Sequence, residues 1–134
     1  MPTEEEKQAE RERVTRLSGF RVGWHDFQSE VAFDALKKRN DEYEARHGQQ
    51  SALGRKTDEM IRMAAYIAMK NPVHMIQIHV HGAHKAGATA EELYDLINFV
   101  GDMAGGAARQ MGMEAWRLTF RPELPPILRI SDLG

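Results

Sequence analysis

Apolar residues recur every three or four positions along most of this chain, which is the spacing of one face of an α-helix. Residues 27–47 show this pattern, and residues 56–70 show it most strongly, through Met60, Met63 and Ile67. No segment alternates between apolar and polar side chains in the way that a half-buried strand requires. The pattern therefore predicts an all-α protein.

Capping signals divide this pattern into separate helices, about six in all. Because proline disrupts a helix interior but is accepted at a helix start, Pro72 is predicted to separate the helix at 56–70 from a second helix that stops at Gly87. Thr89, followed three residues later by a glutamate, forms a capping box for the next helix. A last helix is predicted at residues 107–118.

The two ends of the chain differ in composition from its middle. Residues 3–18 carry many charges and little apolar surface, which predicts a solvated helix or a frayed arm that orders against a partner. Residues 19–26 are interpreted as a connection, and the prolines at positions 122, 125 and 126 predict an extended C-terminal tail. The predicted domains are an N-terminal arm with its connection at 1–26, a helical domain at 27–118 and a Pro-rich tail at 119–134.

Composition and charge narrow the class of protein. A chain of 134 residues with 42% hydrophobic content is long enough for one modest core. The net charge of −2, with acidic and basic residues interspersed, argues against a nucleic-acid partner. No run approaches the roughly 18 apolar residues of a membrane span, and the acidic start lacks a secretory signal. We therefore expect a cytoplasmic protein with no membrane partner.

The chain contains no cysteine, which excludes several kinds of chemistry. Disulfides, thiolate metal ligands, thiol nucleophiles and dithiol redox reactions all require a sulfhydryl group. If the protein is an enzyme, its reactive side chains are histidine, glutamate, aspartate and tyrosine, and no cofactor is obligatory.

Three histidines lie in the segment HVHGAHKAGAT, residues 79–89, and a helix places them on two faces. At about 100° per residue, His79 shares an apolar face with Met75 and Ile76. His81 lies nearly opposite. A polar side chain on an apolar face is costly unless it is paired or used. His79 is therefore either a core histidine with one backbone partner or a reactive group.

The second face of this helix carries His74, His81 and His84. Imidazoles three residues apart on a helix can share a metal ion. However, no carboxylate lies within one turn, and the neighbouring Lys85 repels a cation. We therefore predict no metal here and interpret the face as solvated or interfacial. The alternative is that these histidines meet their symmetry mates in a trimer and hold a metal there.

A series of short motifs runs through residues 56–106, KTDEMIRMAAYIAMKNPVHMIQIHVHGAHKAGATAEELYDLINFVGDMAGG. A helix starts with Lys-Thr-x-Glu, and a histidine is followed eight residues later by Gly-x-Thr. An acidic Glu-Glu-hydrophobic helix start and a small-residue break ending in Gly105 complete the series. In order and spacing the chain resembles the carboxymuconolactone decarboxylase family, which also includes the alkylhydroperoxidase-like proteins, over roughly residues 27–118.

The resemblance implies a compact all-helical domain built around a helical hairpin. It also implies a homo-oligomer, a trimer or hexamer, with the active pocket near a subunit interface. The redox branch of the family carries Cys-x-x-Cys seven and four residues before its histidine. If that histidine is His79, those positions hold Pro72 and Met75 here, so a peroxidase is excluded.

The decarboxylase branch uses a histidine in a pocket that accepts a carboxylated lactone, and His79 matches that histidine. The resemblance implies that Glu59 occupies the family's acidic position. It also implies that His81 stands where the branch usually carries a basic residue. The candidate catalytic residues are therefore His79 and Glu59. The candidate substrate-binding residues are His81, Met75 and Met63.

The function implied by the resemblance is that of a carboxy-lyase-like enzyme in the catabolism of aromatic compounds. Such an enzyme would carry out cofactor-independent proton-transfer chemistry, decarboxylation or isomerisation, on a small unsaturated carboxylic acid or lactone. The alternative is a non-catalytic oligomeric protein of the same fold that binds a ligand or serves as a scaffold. The absence of both cysteines and of the basic residue after the histidine favours that alternative.

Overall fold

The computed structural model describes residues 1–48 and 52–130, and all regular structure within these ranges is α-helical. The helices are α1 (Glu4–Ser18), α2 (Gly23–Val31), α3 (Phe33–Gly48), α4 (Arg55–Ala68), α5 (Val73–Lys85), α6 (Ala90–Ala104) and α7 (Gly106–Phe120). The prediction of an all-α protein is confirmed, with seven helices in these ranges where about six were predicted. The chain forms two compact units, Met1–Ala52 and Leu53–Gly134. Within the described ranges, no helix combines the length and apolarity that crossing a membrane requires. The domain boundaries predicted above stay a prediction.

Local capping explains why the charged N-terminal segment is helical. The Thr3 hydroxyl accepts a hydrogen bond from the backbone N–H of Glu6, whose carboxylate accepts one from the backbone N–H of Thr3. Three glutamates in the first turn interact favourably with the helix dipole. Gly19 ends the helix with a φ of 83°, which costs a glycine little. The segment predicted as a solvated helix or a frayed arm is therefore a capped helix.

Ion pairs supplement a small apolar core in the first unit, where α1 packs against α2 and α3. Arg11 pairs with Glu30 on α2 at 3.0 Å, and Arg13 pairs with Asp41 on α3 at 2.7 Å. Val14 of α1 is fully buried. A helix with so little apolar surface is thus fixed by contacts that periodicity alone does not show.

The predicted connection at 19–26 and the predicted single helix at 27–47 are both wrong in part. Helix α2 already begins at Gly23, where the backbone N–H of Val22 donates to Nδ1 of His25 at 3.2 Å. It ends at Ala32, whose φ of −150° and ψ of 53° interrupt the helix before α3 begins. Because neither glycine nor proline marks this break, the apolar spacing continues across it and suggests one helix.

The second unit is built from α4, α5, α6 and α7, with α7 packed against the other three. Its core is formed by Met63, Ile67, Ile76, Val80, Ala83, Ala88, Leu93, Ile97, Val100, Ala108 and Ala115. Gly112 lets α7 approach closely, because a Cβ there would lie 3.0 Å from Cγ2 of Ile97 and 3.3 Å from Cδ1 of Ile67. The helix boundaries predicted from Pro72, Gly87 and Thr89 are confirmed to within one or two residues, including the capping box.

Helices α4 and α5 both end in a Schellman motif, a pair of backbone hydrogen bonds that closes the C-terminus of a helix. After α4, the N–H groups of Lys70 and Asn71 donate to the carbonyls of Ile67 and Tyr66. After α5, the N–H groups of the residues at 87 and 88 donate to the carbonyls at 84 and 83 in the same pattern. The motif needs a left-handed residue, which is Gly87 after α5 but Lys70, with a φ of 56°, after α4.

Replacing Lys70 with glycine is expected to stabilise the protein by about 0.5–1 kcal/mol, because a residue with a Cβ pays a penalty in the left-handed region that exceeds the chain entropy lost by glycine. Urea denaturation measures the change. The Lys70→Ala variant is the control, since it removes the lysine side chain but keeps the penalty. A glycine variant no more stable than the alanine variant would show that the penalty is absent.

Residues 121–130, after α7, form no helix or strand but are bound to that helix. Glu114 and Arg117 form a buried ion pair on α7. Arg117 donates hydrogen bonds to the carbonyls of Pro122 at 3.1 Å and Leu124 at 2.7 Å. The backbone N–H of Ile127 donates to Oε2 of Glu114 at 2.7 Å. Hydrogen bonds with Glu114 and Arg117, together called the clasp, therefore hold the Pro-rich segment against α7.

Candidate functional site

The hairpin of α4 and α5 brings Arg62 and His79 to the same level. Arg62 lies six residues before the end of α4 at Ala68, and His79 lies six residues after the start of α5 at Val73. At 1.5 Å per residue, both therefore lie about 9 Å along their helices from the connection. Helix α4 packs against α5, and the positive charge of Arg62 acts on His79.

Tyr66 makes the closest aromatic contact to His79. The ring centroids are 3.9 Å apart and the planes are inclined by 31°, so the tyrosine ring lies over the imidazole. The backbone of Tyr66 is fixed at the end of α4, because Asn71 donates to its carbonyl from both the backbone and the side chain. Tyr66 therefore limits the orientations that the His79 ring can adopt.

His79 is half-buried, whereas its neighbours Ile76, Val80 and Ala83 on α5 are fully buried. Burial lowers the pKa of His79 below its ordinary value of 6.5; the negative charge of Glu59 opposes this and the positive charge of Arg62 adds to it. The imidazole is therefore mainly neutral at pH 7. A neutral ring that keeps partial access to solvent can accept a proton.

Glu59 lies on α4 at the edge of this group and is only 8% exposed. Three residues before Arg62, it is displaced by about 4.5 Å along the helix from the level of His79. Its charge raises the pKa of His79. Within the described part of the chain, however, no hydrogen bond or ion pair joins Glu59 to His79. The structure thus brings the two candidate catalytic residues into electrostatic range, without a described hydrogen bond or ion pair between them.

The three candidate substrate-binding residues occupy different environments. Met75 is 42% exposed and lies one turn before His79, on the same side of α5. Met63 is fully buried in the core of the second unit. His81 is half-buried and lies about 200° around the helix from His79. Of the three, Met75 is the one that α5 presents beside His79.

The remaining histidines of α5 do not join this group. Nδ1 of His84 lies 2.8 Å from the carbonyl oxygen of Ala88, and its ring meets Phe120 edge-on at 5.0 Å. His74 is exposed. In the ranges that the structure describes, no three or more His, Asp or Glu side chains gather in a way that could hold a metal ion.

Tyr66 and Arg62 are the residues that sequence reasoning missed. With Glu59 they lie at intervals of three and four residues on α4, which places all three within about 60° on one side of that helix. This spacing was available in the sequence. It could not be assigned to the site, because Tyr66 and Arg62 resemble surface residues until the position of His79 across the hairpin is known.

Replacing Glu59 or Arg62 with glutamine is expected to shift the pKa of His79 in opposite directions. Loss of the negative charge of Glu59 lowers this pKa further, and loss of the positive charge of Arg62 raises it. NMR titration of the imidazole protons measures both variants. Arg55→Gln, at the far end of α4, is the control for a change in net charge. Shifts in the same direction would contradict this arrangement of charges.

Comparison with known proteins gives one finding. A family model described as the carboxymuconolactone decarboxylase family matches residues 34–118, which is well over half of the chain. The matched range begins in α3 and includes Glu59, Arg62, Tyr66 and His79. No curated protein and no solved structure matches the chain.

Proposed function

Because the chain belongs to the carboxymuconolactone decarboxylase family, we propose that it is a cytoplasmic enzyme that carries out cofactor-independent proton transfer on a small unsaturated carboxylic acid or lactone. The reaction is a decarboxylation or an isomerisation, and His79 is the catalytic residue. The observation that carries this proposal is the half-buried, mainly neutral imidazole of His79, held beneath Tyr66 and within range of two opposite charges.

The chemistry is a matter of one proton and one electron pair. In an isomerisation, His79 removes a proton from the carbon next to the carbonyl, the electron pair passes into the carbonyl as an enolate, and the imidazolium returns the proton at another carbon. In a decarboxylation, the bond from carbon to the carboxylate breaks, CO2 leaves, and the electron pair again forms an enolate, which takes a proton on carbon. A neutral imidazole serves isomerisation directly, whereas decarboxylation requires that it first take a proton from solvent.

Glu59 supports this chemistry through its charge. When His79 accepts a proton, the carboxylate of Glu59 stabilises the imidazolium, as the direction of its effect on the pKa shows. Arg62 acts in the opposite sense and favours the neutral ring. The two charges therefore act on the proton affinity of His79 in opposite directions.

The proposal includes assembly as a trimer or hexamer. Helix α6 presents Phe99, which is 66% exposed, and Met103, which is 70% exposed, one turn apart on one face. Exposed apolar patches on a small protein mark surfaces that contact another molecule. Light scattering at micromolar concentration tests this, and a monomeric mass would contradict it.

A panel of small unsaturated acids and lactones in D2O tests the proposed reaction. Carboxymuconolactone, the compound in the name of the family, is the first member of the panel. Proton NMR follows the movement of double bonds and the incorporation of deuterium at carbon, and CO2 release is measured in parallel. The enzyme is expected to accelerate at least one of these changes above the buffer rate. No acceleration with any member would contradict the proposal.

A non-catalytic ligand-binding or scaffold protein is the second candidate function. The observation that favours it is the state of His81, which stands where the decarboxylase branch usually carries a basic residue. Burial lowers the pKa of His81, and the charges of Lys85 and His84 lower it further, so His81 brings little positive charge at pH 7. Ligand binding without turnover in the same panel would favour this candidate.

A further inference from the structure

A site for a carboxylic acid needs a positive charge, and the position after the histidine does not supply one here. His81 is mainly neutral and lies on a different side of α5 from His79. Helix α4, the other helix of the hairpin, can supply this charge instead. Arg62 is the cation of α4 that stands at the level of His79.

We propose that Arg62 is the residue that binds a carboxylate group of the substrate beside His79. This inference rests on the function proposed above, because it names the part of the substrate that the same site recognises. It assigns the positive charge of the site to α4, facing the histidine across the hairpin, instead of to the position two residues after the histidine on α5.

The position of Arg62 fits this role. It lies one turn before Tyr66, whose ring is 3.9 Å from that of His79, and three residues after Glu59. All three side chains therefore project from one side of α4. A substrate held by Arg62 would have its carbon skeleton next to the Tyr66 ring and the imidazole.

Arg62 differs in its pairing from the other described cations of this unit that are not exposed. Lys56 pairs with Glu92 at 2.8 Å, and Arg109 and Arg117 pair with Asp102 and Glu114. Arg62 is half-buried, yet among residues 1–48 and 52–130 it has no ion pair and no hydrogen bond from its side chain.

Glu59 does not neutralise Arg62, although three residues on a helix is a spacing at which such pairs form. No ion pair links the two among the described residues. A half-buried guanidinium without a partner among the described residues costs free energy, and a bound carboxylate offsets that cost with charge-assisted hydrogen bonds.

The role of Arg62 also constrains the substrate. A guanidinium bound to the carboxylate that leaves as CO2 would stabilise its charged ground state and so slow the loss of CO2. Arg62 therefore fits a carboxylate that survives the reaction. The substrates are expected to be acids that isomerise, or diacids that lose one carboxylate and keep the other.

Binding of crotonate, a small unsaturated carboxylate, to the full chain tests the inference without any need for turnover. Crotonamide, its neutral analogue, is the matched probe. The imidazole signals of His79 in NMR spectra at pH 7.5 report binding of either compound. Arg62→Gln is expected to weaken crotonate binding at least about tenfold, equal to about 1.4 kcal/mol, and to leave crotonamide binding unchanged. Arg62→Lys should retain part of the affinity, because it keeps the charge but loses the bidentate geometry.

Arg55→Gln makes the same change in charge at the exposed start of α4 and is expected to leave crotonate binding within about twofold of the unmodified protein. The inference is overturned if crotonate does not perturb His79, or if Arg62→Gln binds it as well as Arg55→Gln does. Crotonate binding that depends on Arg62, in a protein that turns over no compound of the panel, would support the inference and contradict the proposed function. Turnover that Arg62→Gln leaves unchanged would support the proposed function and contradict the inference.

Discussion

His79→Gln is expected to lower turnover by about 10²- to 10⁴-fold, the contribution that a positioned general base or acid usually makes. Glutamine keeps a similar size and can still donate and accept hydrogen bonds, but it cannot take up a proton near neutral pH. Because His79 is half-buried and not part of the sealed core, the variant should fold and assemble like the unmodified protein. The measurement is the rate with the best substrate of the panel, together with circular dichroism and light scattering.

His84→Ala is the matched control for this prediction. His84 lies on the same helix, but its ring contacts the Ala88 carbonyl and Phe120 instead of the His79 group. Its removal should change turnover by less than about threefold, well below the effect of losing a general base. If His79→Gln retains most of the activity, or if both variants lose it equally, His79 is not the catalytic residue.

Ile97→Ala is expected to destabilise the protein by about 2–5 kcal/mol, the usual cost of removing a large buried aliphatic side chain. Ile97 is fully buried on α6 and faces Gly112 of α7, which has no side chain to fill the cavity. Urea denaturation measures the change. Asp95→Ala, which truncates an exposed side chain on the same helix, should change the free energy of unfolding by less than about 0.5 kcal/mol.

A double-mutant cycle tests whether Ile97 and Gly112 are in the close contact that this prediction assumes. Gly112→Ala alone should destabilise the protein, because the added Cβ would lie 3.0 Å from Cγ2 of Ile97. In the Ile97→Ala background that atom is absent, so the same substitution should cost less or become favourable. Additive effects of the two substitutions would contradict the packing described here.

Local signals explain why the helices of the second unit could be predicted. Pro72 and Thr89 act on the residues next to them, so their effect on helix ends depends little on the rest of the fold. The left-handed Lys70 has no such signal, because lysine is common in ordinary helical turns and only the Schellman motif after α4 requires that conformation. The break at Ala32 likewise has no local marker, because neither glycine nor proline lies at the junction of α2 and α3.

The sequence predicts the candidate site residue on α5, but not the residues of α4 that accompany it. His79 follows from its apolar face and from the spacing to Gly87 and Thr89. The contributions of Tyr66 and Arg62 depend on which residues of α4 lie opposite His79, and that depends on the ends of both helices. Periodicity also predicts which face of a helix a residue lies on, but it does not predict how deeply the residue is buried. It therefore could not separate the fully buried Met63 from the exposed Met75.

The clasp formed by Glu114 and Arg117 makes the segment after α7 an intramolecular ligand. Its carbonyls and amide form hydrogen bonds with the two charged side chains, while Leu124, Ile127 and Leu128 are each between 41% and 49% exposed. Such a segment can dissociate and rebind while the helices stay folded, in the manner of a tethered peptide. Its release depends on pH, because Arg117 holds the pKa of Glu114 below its ordinary value of 4.5. The clasp is complete above that value and weakens as the pH falls through the lowered pKa, because protonated Glu114 loses its negative charge beside Arg117 and the backbone N–H of Ile127.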